Sequence, residues 1–352
     1  MTREQVQKKA VDIITQYNCH GIIEVYMRVG KSKIAIETIL ANKKNISSIL
    51  WVTNEKGLRD NGIPEQILTW GNQELLDKCD IKLYGALNKL KKSYDFVILD
   101  ECQHLTLGNV KYFKSQAKMP HVLAMTGFMP KDKEKLEILH SVLNLNLLFT
   151  YTHEEAIKDK IVSDYQINIL MINLSAKEQE EHKSINKLLE IAITGNNKNW
   201  IKHVRIARQR FLHSLPSKVK VAKELLKQNE TERIICFSPT KKIAEEISPA
   251  FFHSTSSSLA YNNFQTNISN ILSAVSKGST GHTFKEMGGI ILLGADNNQN
   301  GLLSQKIARS FIWRKDYTAQ IYILIAAGTQ EEIWLKNGLS SYNVSKVKTK
   351  TI

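Results

Sequence analysis

Apolar positions along the chain fall into short runs, separated by stretches in which apolar and polar residues recur three or four apart. The runs 21-GIIEVY-26, 48-SILWVT-53, 95-DFVILD-100, 121-HVLAMT-126, 232-ERIICFS-238, 289-GIILLG-294 and 320-QIYILI-325 have the length and β-branched content of buried strands. Helical spacing follows many of them, as in 31-KSKIAIETILA-41, 132-DKEKLEILHSVL-143 and 240-TKKIAEEI-247. Short buried strands alternating with helices predict βαβ units, and so parallel sheets covered by helices. Between about 175 and 230 the strand pattern gives way to a helical one, including 176-AKEQEEHKSINKLLEIAI-193. The expected organisation is an α/β chain of two lobes, 1–155 and 156–352, with a helical insert at about 175–230 in the second.

Composition narrows this picture. The chain has 352 residues, 42% apolar and 23% charged, enough to build buried cores and too apolar for wholesale disorder. Four cysteines (Cys19, Cys79, Cys102, Cys236) lie far apart with no CxxC pair, which argues against a disulfide framework or a zinc ribbon and fits a reducing cytosol. The apolar run 318-TAQIYILIAAG-328 is well short of the roughly 20 residues that span a bilayer, and MTREQVQKKAVD has no signal-peptide core. A cytoplasmic protein without a membrane partner is expected, in the host cytoplasm were the chain viral.

Charge adds a partner class. Lys and Arg number 48 against 34 Asp and Glu, a net of +14, with the larger excess after residue 150. Such a balance points to a polyanion. Its sharpest expression is 198-KNWIKHVRIARQRFLHSLPSKVKVAK-223, which holds Lys202, Arg205, Arg208, Lys218 and four further basic residues and no acidic one. Ile201, Val204, Phe211 and Leu215 recur at helical spacing, so one face packs while the basic face stays wet. Phosphate contact and a merely solvated face are both open readings of it. The tail 345-SKVKTKTI-352 is expected to be mobile.

The first chemical signal is 27-MRVGKSKIA-35, between a strand and a helix. Gly30 lets the backbone approach a phosphate, Lys31 reaches the β/γ-phosphates, and Ser32 offers a hydroxyl to Mg²⁺. The helix start adds backbone N–H groups aimed at the anion. The full G-x-x-x-x-G-K-[ST] pattern is not met, because Val25 stands at its first glycine. About 70 residues on, 94-YDFVILDECQHL-105 ends a hydrophobic strand in two carboxylates. Asp100 is placed to hold Mg²⁺ and Glu101 to activate the attacking water. A third segment, 122-VLAMTGFMP-130, ends a strand in Thr126 and Gly127, which fit a relay of the nucleotide state.

In this order the motifs resemble the superfamily 2 helicase and translocase core, nearest its Snf-type ATPases and compact bacteriophage helicases. The opening 21-GIIEVYMRVGKSKIAIETIL-40 is similar to that family's strand–Met-x-x-Gly-Lys-Thr–helix element, DECQ stands where it has DEAH, and TGFMP where it has TGTP. In 3-REQVQKKAV-11 the resemblance makes Gln7 the adenine contact, beside Val29, Gly30, Lys31 and Ser32 at the phosphates. Further on, 234-IICFSPTKKIAEEI-247 looks like the fourth motif and 273-SAVSKGSTGHTF-284 like the fifth. The fifth implies nucleic-acid contact or coupling by Thr280 and Gly281. The run 305-QKIARSFIWR-314 resembles the sixth, and 328-GTQEEIW-334 a Gly-Thr-x-Glu-Glu element of Snf-type proteins.

The resemblance implies two RecA-like lobes, ATP and Mg²⁺ as cofactors, and a nucleic-acid partner, DNA more than RNA. It implies a monomer working with replication, repair or transcription proteins. Arg309 becomes the arginine finger. Arg314 lies two residues beyond the family's second arginine, a position held here by Ile312. Arg28 replaces a glycine of the phosphate loop and Ala308 one of the sixth motif. The implied activity is ATP-driven unwinding or translocation. The alternatives are a double-strand translocase that separates no strands, and a nucleic-acid-binding protein with a decayed ATPase.

Overall fold

The computed structural model describes residues 1–130, 132–275, 284, 287–295, 302–308, 317–340 and 342–352. Thr280, Gly281, Arg309 and Arg314 lie outside the described residues. The chain divides into two compact units, Met1–Val162 and Ser163–Ile352.

The first unit is a six-stranded sheet, β1 (Gly21–Val25), β2 (Ile49–Thr53), β3 (Cys79–Leu83), β4 (Phe96–Asp100), β5 (His121–Thr126) and β6 (Leu147–Tyr151). The strand order is β3-β2-β4-β5-β1-β6, and every pairing is parallel. Its helices are α1 (Arg3–Gln16), α2 (Lys31–Ala41), α3 (Ile63–Trp70), α4 (Gln73–Asp77), α5 (Leu107–Lys114), α6 (Lys133–Glu137) and α7 (His153–Lys158). β2 and β4 are buried at every position, which explains their unbroken apolar runs, since a central parallel strand is covered on both faces. Leu50, Val52, Val97, Leu99, Val122 and Ala124 share a core cluster with Val110 and Phe113 of α5. The unit extends past residue 155 because α7 is fastened to it. The His153 ring stacks on Tyr26 at 4.0 Å, and the Tyr151 hydroxyl donates to Asp159 Oδ2 at 2.7 Å.

The second unit holds β7 (Asp164–Ile172), β8 (Ile234–Ser238), β9 (Phe251–Phe252), β10 (Ile271–Val275), β11 (Gly289–Leu292), β12 (Thr318–Ala326) and β13 (Val347–Thr351). Their order is β13-β7-β12-β11-β8-β10-β9, again all parallel. Its helices are α8 (Ala176–Thr194), α9 (Lys198–His213), α10 (Pro216–Gln228), α11 (Lys241–Ile247), α12 (Leu259–Gln265), α13 (Leu302–Ala308) and α14 (Gln330–Gly338). Both units are α/β folds of the RecA-like kind.

Two expectations are corrected here. The tail is not a mobile end, because residues 347–351 form the edge strand β13, paired with β7 from Val347↔Ile167 to Thr351↔Met171. The basic stretch 198–223 is not one amphipathic helix. Pro216 begins a new helix as its first residue, where its missing N–H costs no bond, and the chain breaks at Ser214 and Leu215. Lys218, counted on the wet face, is fully buried; its Nζ donates to Glu331 Oε2 at 2.5 Å and to the Leu293 carbonyl at 3.0 Å. Among the described residues no helix is long and apolar enough to cross a membrane.

Candidate nucleotide site and nucleic-acid surface

The site grows from the carboxyl ends of β1, β4 and β5, adjacent in the order β4-β5-β1. In open α/β sheets ligands bind at that edge. The loop after β1 turns sharply. Arg28 has φ +73° and Gly30 φ +106°, both left-handed. A Cβ on Gly30 would stand 2.5 Å from Gln7 Nε2, so glycine is required there twice over. Arg28 stands where the helicase motif has glycine and keeps a glycine's conformation at a cost of roughly 1–3 kcal/mol. α2 then starts at Lys31 with no side-chain cap and no acidic residue in its first turn. Its first amides are left for an anion, and the helix dipole favours one.

Gln7, buried on α1, reaches across to this loop. Its Nε2 donates to the Val29 carbonyl at 2.7 Å, while its Oε1 is buried without a partner in the protein. One end of the amide therefore fixes the loop after β1, and the other is a buried acceptor suited to a ligand donor.

β4 delivers the carboxylates. Asp100 is its last residue, and Glu101 follows in a left-handed conformation at φ +52°. Lys31 Nζ lies 3.0 Å from Glu101 Oε1, with both side chains largely buried. Burial raises the Asp100 carboxyl well above the usual aspartate range; the Glu101 charge adds to this and the Lys31 charge opposes it. Burial pushes the same way at Glu101, but the Lys31 charge and hydrogen bonds from Gln103 and Lys31 outweigh it and hold Glu101 low. The two adjacent carboxylates are shifted in opposite directions, and the Lys31 ammonium at 3.0 Å favours the charged form of Glu101, the form a base needs.

Glu101 is joined to the third segment through a residue that sequence reasoning missed. Gln103 Nε2 donates to Glu101 Oε2 at 2.8 Å, and Gln103 Oε1 lies 2.9 Å from the Thr126 hydroxyl. That hydroxyl accepts from the Phe128 amide at 3.1 Å. Gly127 packs against Met27, and a Cβ on it would come within 3.6 Å of Lys31 Nζ. Glu24 was missed too; its Oε1 accepts from the Met129 amide at 2.8 Å and ties the TGFMP loop to β1. A charged residue inside the otherwise apolar GIIEVY run was the available signal.

Magnesium takes one or two protein oxygens and completes its shell with water and phosphate. Asp100 and Ser32, the second residue of α2, suit that donor set. Among the described residues no group of three or more His, Cys, Asp or Glu forms a protein-only metal cage.

In the second unit Lys202 and Arg205 are exposed on α9. Arg208 departs from the expected wet face. It is half-buried between α8 and α9, its Nη1 donates to Asn186 Oδ1 at 3.3 Å, and burial lowers its pKa.

No family model matches the sequence, and neither does any curated protein. Solved structures do match. The chain is similar to the Hef helicase domain of Pyrococcus furiosus, with TM-score 0.57 and 13% identity over 95% of this chain and 97% of that one. It is similar to S. cerevisiae Dbp5 bound to RNA and ADP BeF3, with TM-score 0.62 and 11% identity over 99% and 89%. It also resembles the DNA-bound ATP-dependent Type ISP restriction-modification enzyme LlaBIII, with TM-score 0.63 and 12% identity. There it covers all of this chain but 31% of the enzyme. At these identities the likeness is one of fold, the fold shared with the Hef helicase domain and Dbp5.

Proposed function

We propose that the chain is an ATP-dependent nucleic-acid helicase or translocase that acts on DNA. The observation that carries this reading is the Lys31–Glu101 pair at 3.0 Å, which joins the start of α2 to the end of β4 beside Asp100. Lys31 and the first amides of α2 bind the phosphates, Gln7 holds the loop and meets the base, and Gly30 gives the backbone its close approach. Glu101, kept ionised, accepts the proton of the attacking water. Asp100 and Ser32 would hold Mg²⁺, which would supply positive charge to the phosphate oxygens. The path Glu101–Gln103–Thr126 carries the state of the site to the TGFMP loop. Arg309 supplies transition-state charge, with Arg314 five residues on in sequence, and Thr280 and Gly281 contact the nucleic acid. Lys202 and Arg205 add phosphate contacts that are weakly sequence-specific and sensitive to salt. Solved relatives in fold bound to DNA or RNA support the partner class.

The test is ATP hydrolysis with and without DNA in the wild type, Lys31→Ala and Glu101→Gln. Loss of DNA-stimulated turnover in both variants is expected. Wild-type rates in either would refute the assignment.

A further inference from the structure

The second sheet is covered unevenly. α11 and α10 pack against each other over β10, β8 and β12, and Leu225 and Leu226 of α10 share a core cluster with Cys236, Ile291 and Leu324 of the strands. The cover thins at β7 and β13. β7 alternates buried and half-buried positions, the pattern of a strand covered on one side, whereas a parallel strand is ordinarily covered on both. Leu170 of β7, Val221 of α10 and Tyr322 of β12 pack against the cluster but stay half-buried.

These three line a cavity of about 740 Å³, a space of ligand size and not a gap for one or two waters. Among the described residues α10 is the one helix on its border, and the opposite rim is the edge strand β13. Lys348 is in register with Asn168 and Lys350 with Leu170, so both lysines stand on the open face. α10 adds Lys220 and one acidic residue, Glu224. All four charged groups are exposed, and among the described residues none of them is in an ion pair. The nearby acids are engaged elsewhere: Glu178 accepts from the Ser217 amide and the Ser175 hydroxyl, and Asp164 pairs with Lys346. The spacing fits a helix. Packed helices lie roughly 8–10 Å apart and two strand spacings come to about the same, so a helix laid beside α10, which packs on β12, falls over β7 and β13.

We propose that this groove docks an amphipathic α-helix of a partner protein, its apolar stripe on Leu170, Val221 and Tyr322 and its carboxylates on the flank that meets Lys348 and Lys350. Helix-in-groove docking of this kind completes the layer that α10 and α11 begin. A phosphate backbone would use the lysines and leave the aliphatic floor wet, while an apolar helix without acids would leave the lysines unanswered. An acidic amphipathic helix satisfies both. The groove uses no residue of the proposed nucleotide site, so its test is independent of the ATPase reading.

The probes are three fluorescein-labelled synthetic peptides titrated into the full chain by anisotropy, without ATP. One is a helix former with a leucine stripe and a glutamate flank, the second carries lysine in place of glutamate, and the third is a scrambled form of the first. The glutamate peptide is expected to bind wild type at least tenfold more tightly than either of the others. In Lys348→Glu/Lys350→Glu the preference should reverse, with the lysine peptide now the tighter by a similar factor; that gain also shows that the variant is folded. Carbodiimide, which joins carboxylates to amines in contact, should link the glutamate peptide to Lys348 or Lys350 of the wild type. Equal binding of the glutamate and scrambled peptides would reduce the attraction to charge alone and overturn the proposal. An unchanged preference in the double variant would do the same. Sedimentation supplies the remaining outcome: a wild-type dimer that the double variant dissociates would give the face to a second copy of the chain instead.

Discussion

Lys31 and Glu101 neutralise each other at 3.0 Å, between the start of α2 and the residue that follows β4. The same ammonium is the group proposed to meet phosphate, so it has two anions to choose between. Removing each residue should therefore have different consequences. Glu101→Gln should keep nucleotide affinity within a few-fold, while turnover falls by about 10²–10⁴, the usual contribution of a general base. Lys31→Ala should lose affinity as well. Fluorescent-nucleotide titration beside steady-state turnover measures both, and equal affinity losses in the two variants would contradict the roles assigned.

Gly30 is fixed by two independent constraints, φ +106° and the 2.5 Å that a Cβ would leave to Gln7 Nε2. Gly30→Ala should displace Gln7 from the Val29 carbonyl and raise KM for ATP at least tenfold, with thermal stability reduced by about 1–2 kcal/mol. Calorimetry and turnover check the two effects. Unchanged KM would mean that the loop is not the phosphate site.

Lys218 and Glu331 form a fully buried pair in the second unit, and Glu331 Oε2 also accepts from the Ala326 amide at 2.9 Å. Breaking such a pair from one side leaves a buried charge and costs about 3–5 kcal/mol, whereas replacing both members costs much less. Denaturant unfolding of Lys218→Met, Glu331→Leu and the double variant should show this non-additivity. Additive losses would place the energy elsewhere.

Asp95 Oδ2 accepts from the amides and hydroxyls of both Ser47 and Ser48. The Ser47 hydroxyl leads the effects that hold its carboxyl below the ordinary 3.8, against the opposing pull of burial. A carboxylate lowered on folding stabilises above its unfolded pKa, and that contribution is lost as pH falls through the folded value. Asp95→Asn should therefore melt below the wild type at pH 6, and the gap should close below pH about 3.8. A gap that widens in acid would reverse the sign.

The first unit was legible in the sequence because β1, β2, β4 and β5 are central parallel strands with continuous apolar runs. The pieces of the proposed site were legible because Gly30-Lys31-Ser32 and Asp100-Glu101 are contiguous segments at the ends of such strands. What escaped lacks that signal. β3 reads CDIKL and β13 VKTKT, edge strands whose charged side chains face water on one side. β7 alternates buried and half-buried positions. The buried state of Lys218 depends on Glu331, 113 positions away, and no local pattern records it. Gln103 was missed for the same reason, since its role appears only when Glu101 and Thr126 are brought to its two ends.

The most direct measurement of the central claim is ATP turnover by the wild-type chain, with Lys31→Ala as the blank, against single-stranded DNA, duplex DNA, forked DNA and RNA. Turnover should rise at least tenfold with nucleic acid, most with forked or single-stranded DNA, fall as salt increases, and vanish in Lys31→Ala. Turnover no higher than the Lys31→Ala blank with every nucleic acid would contradict the account.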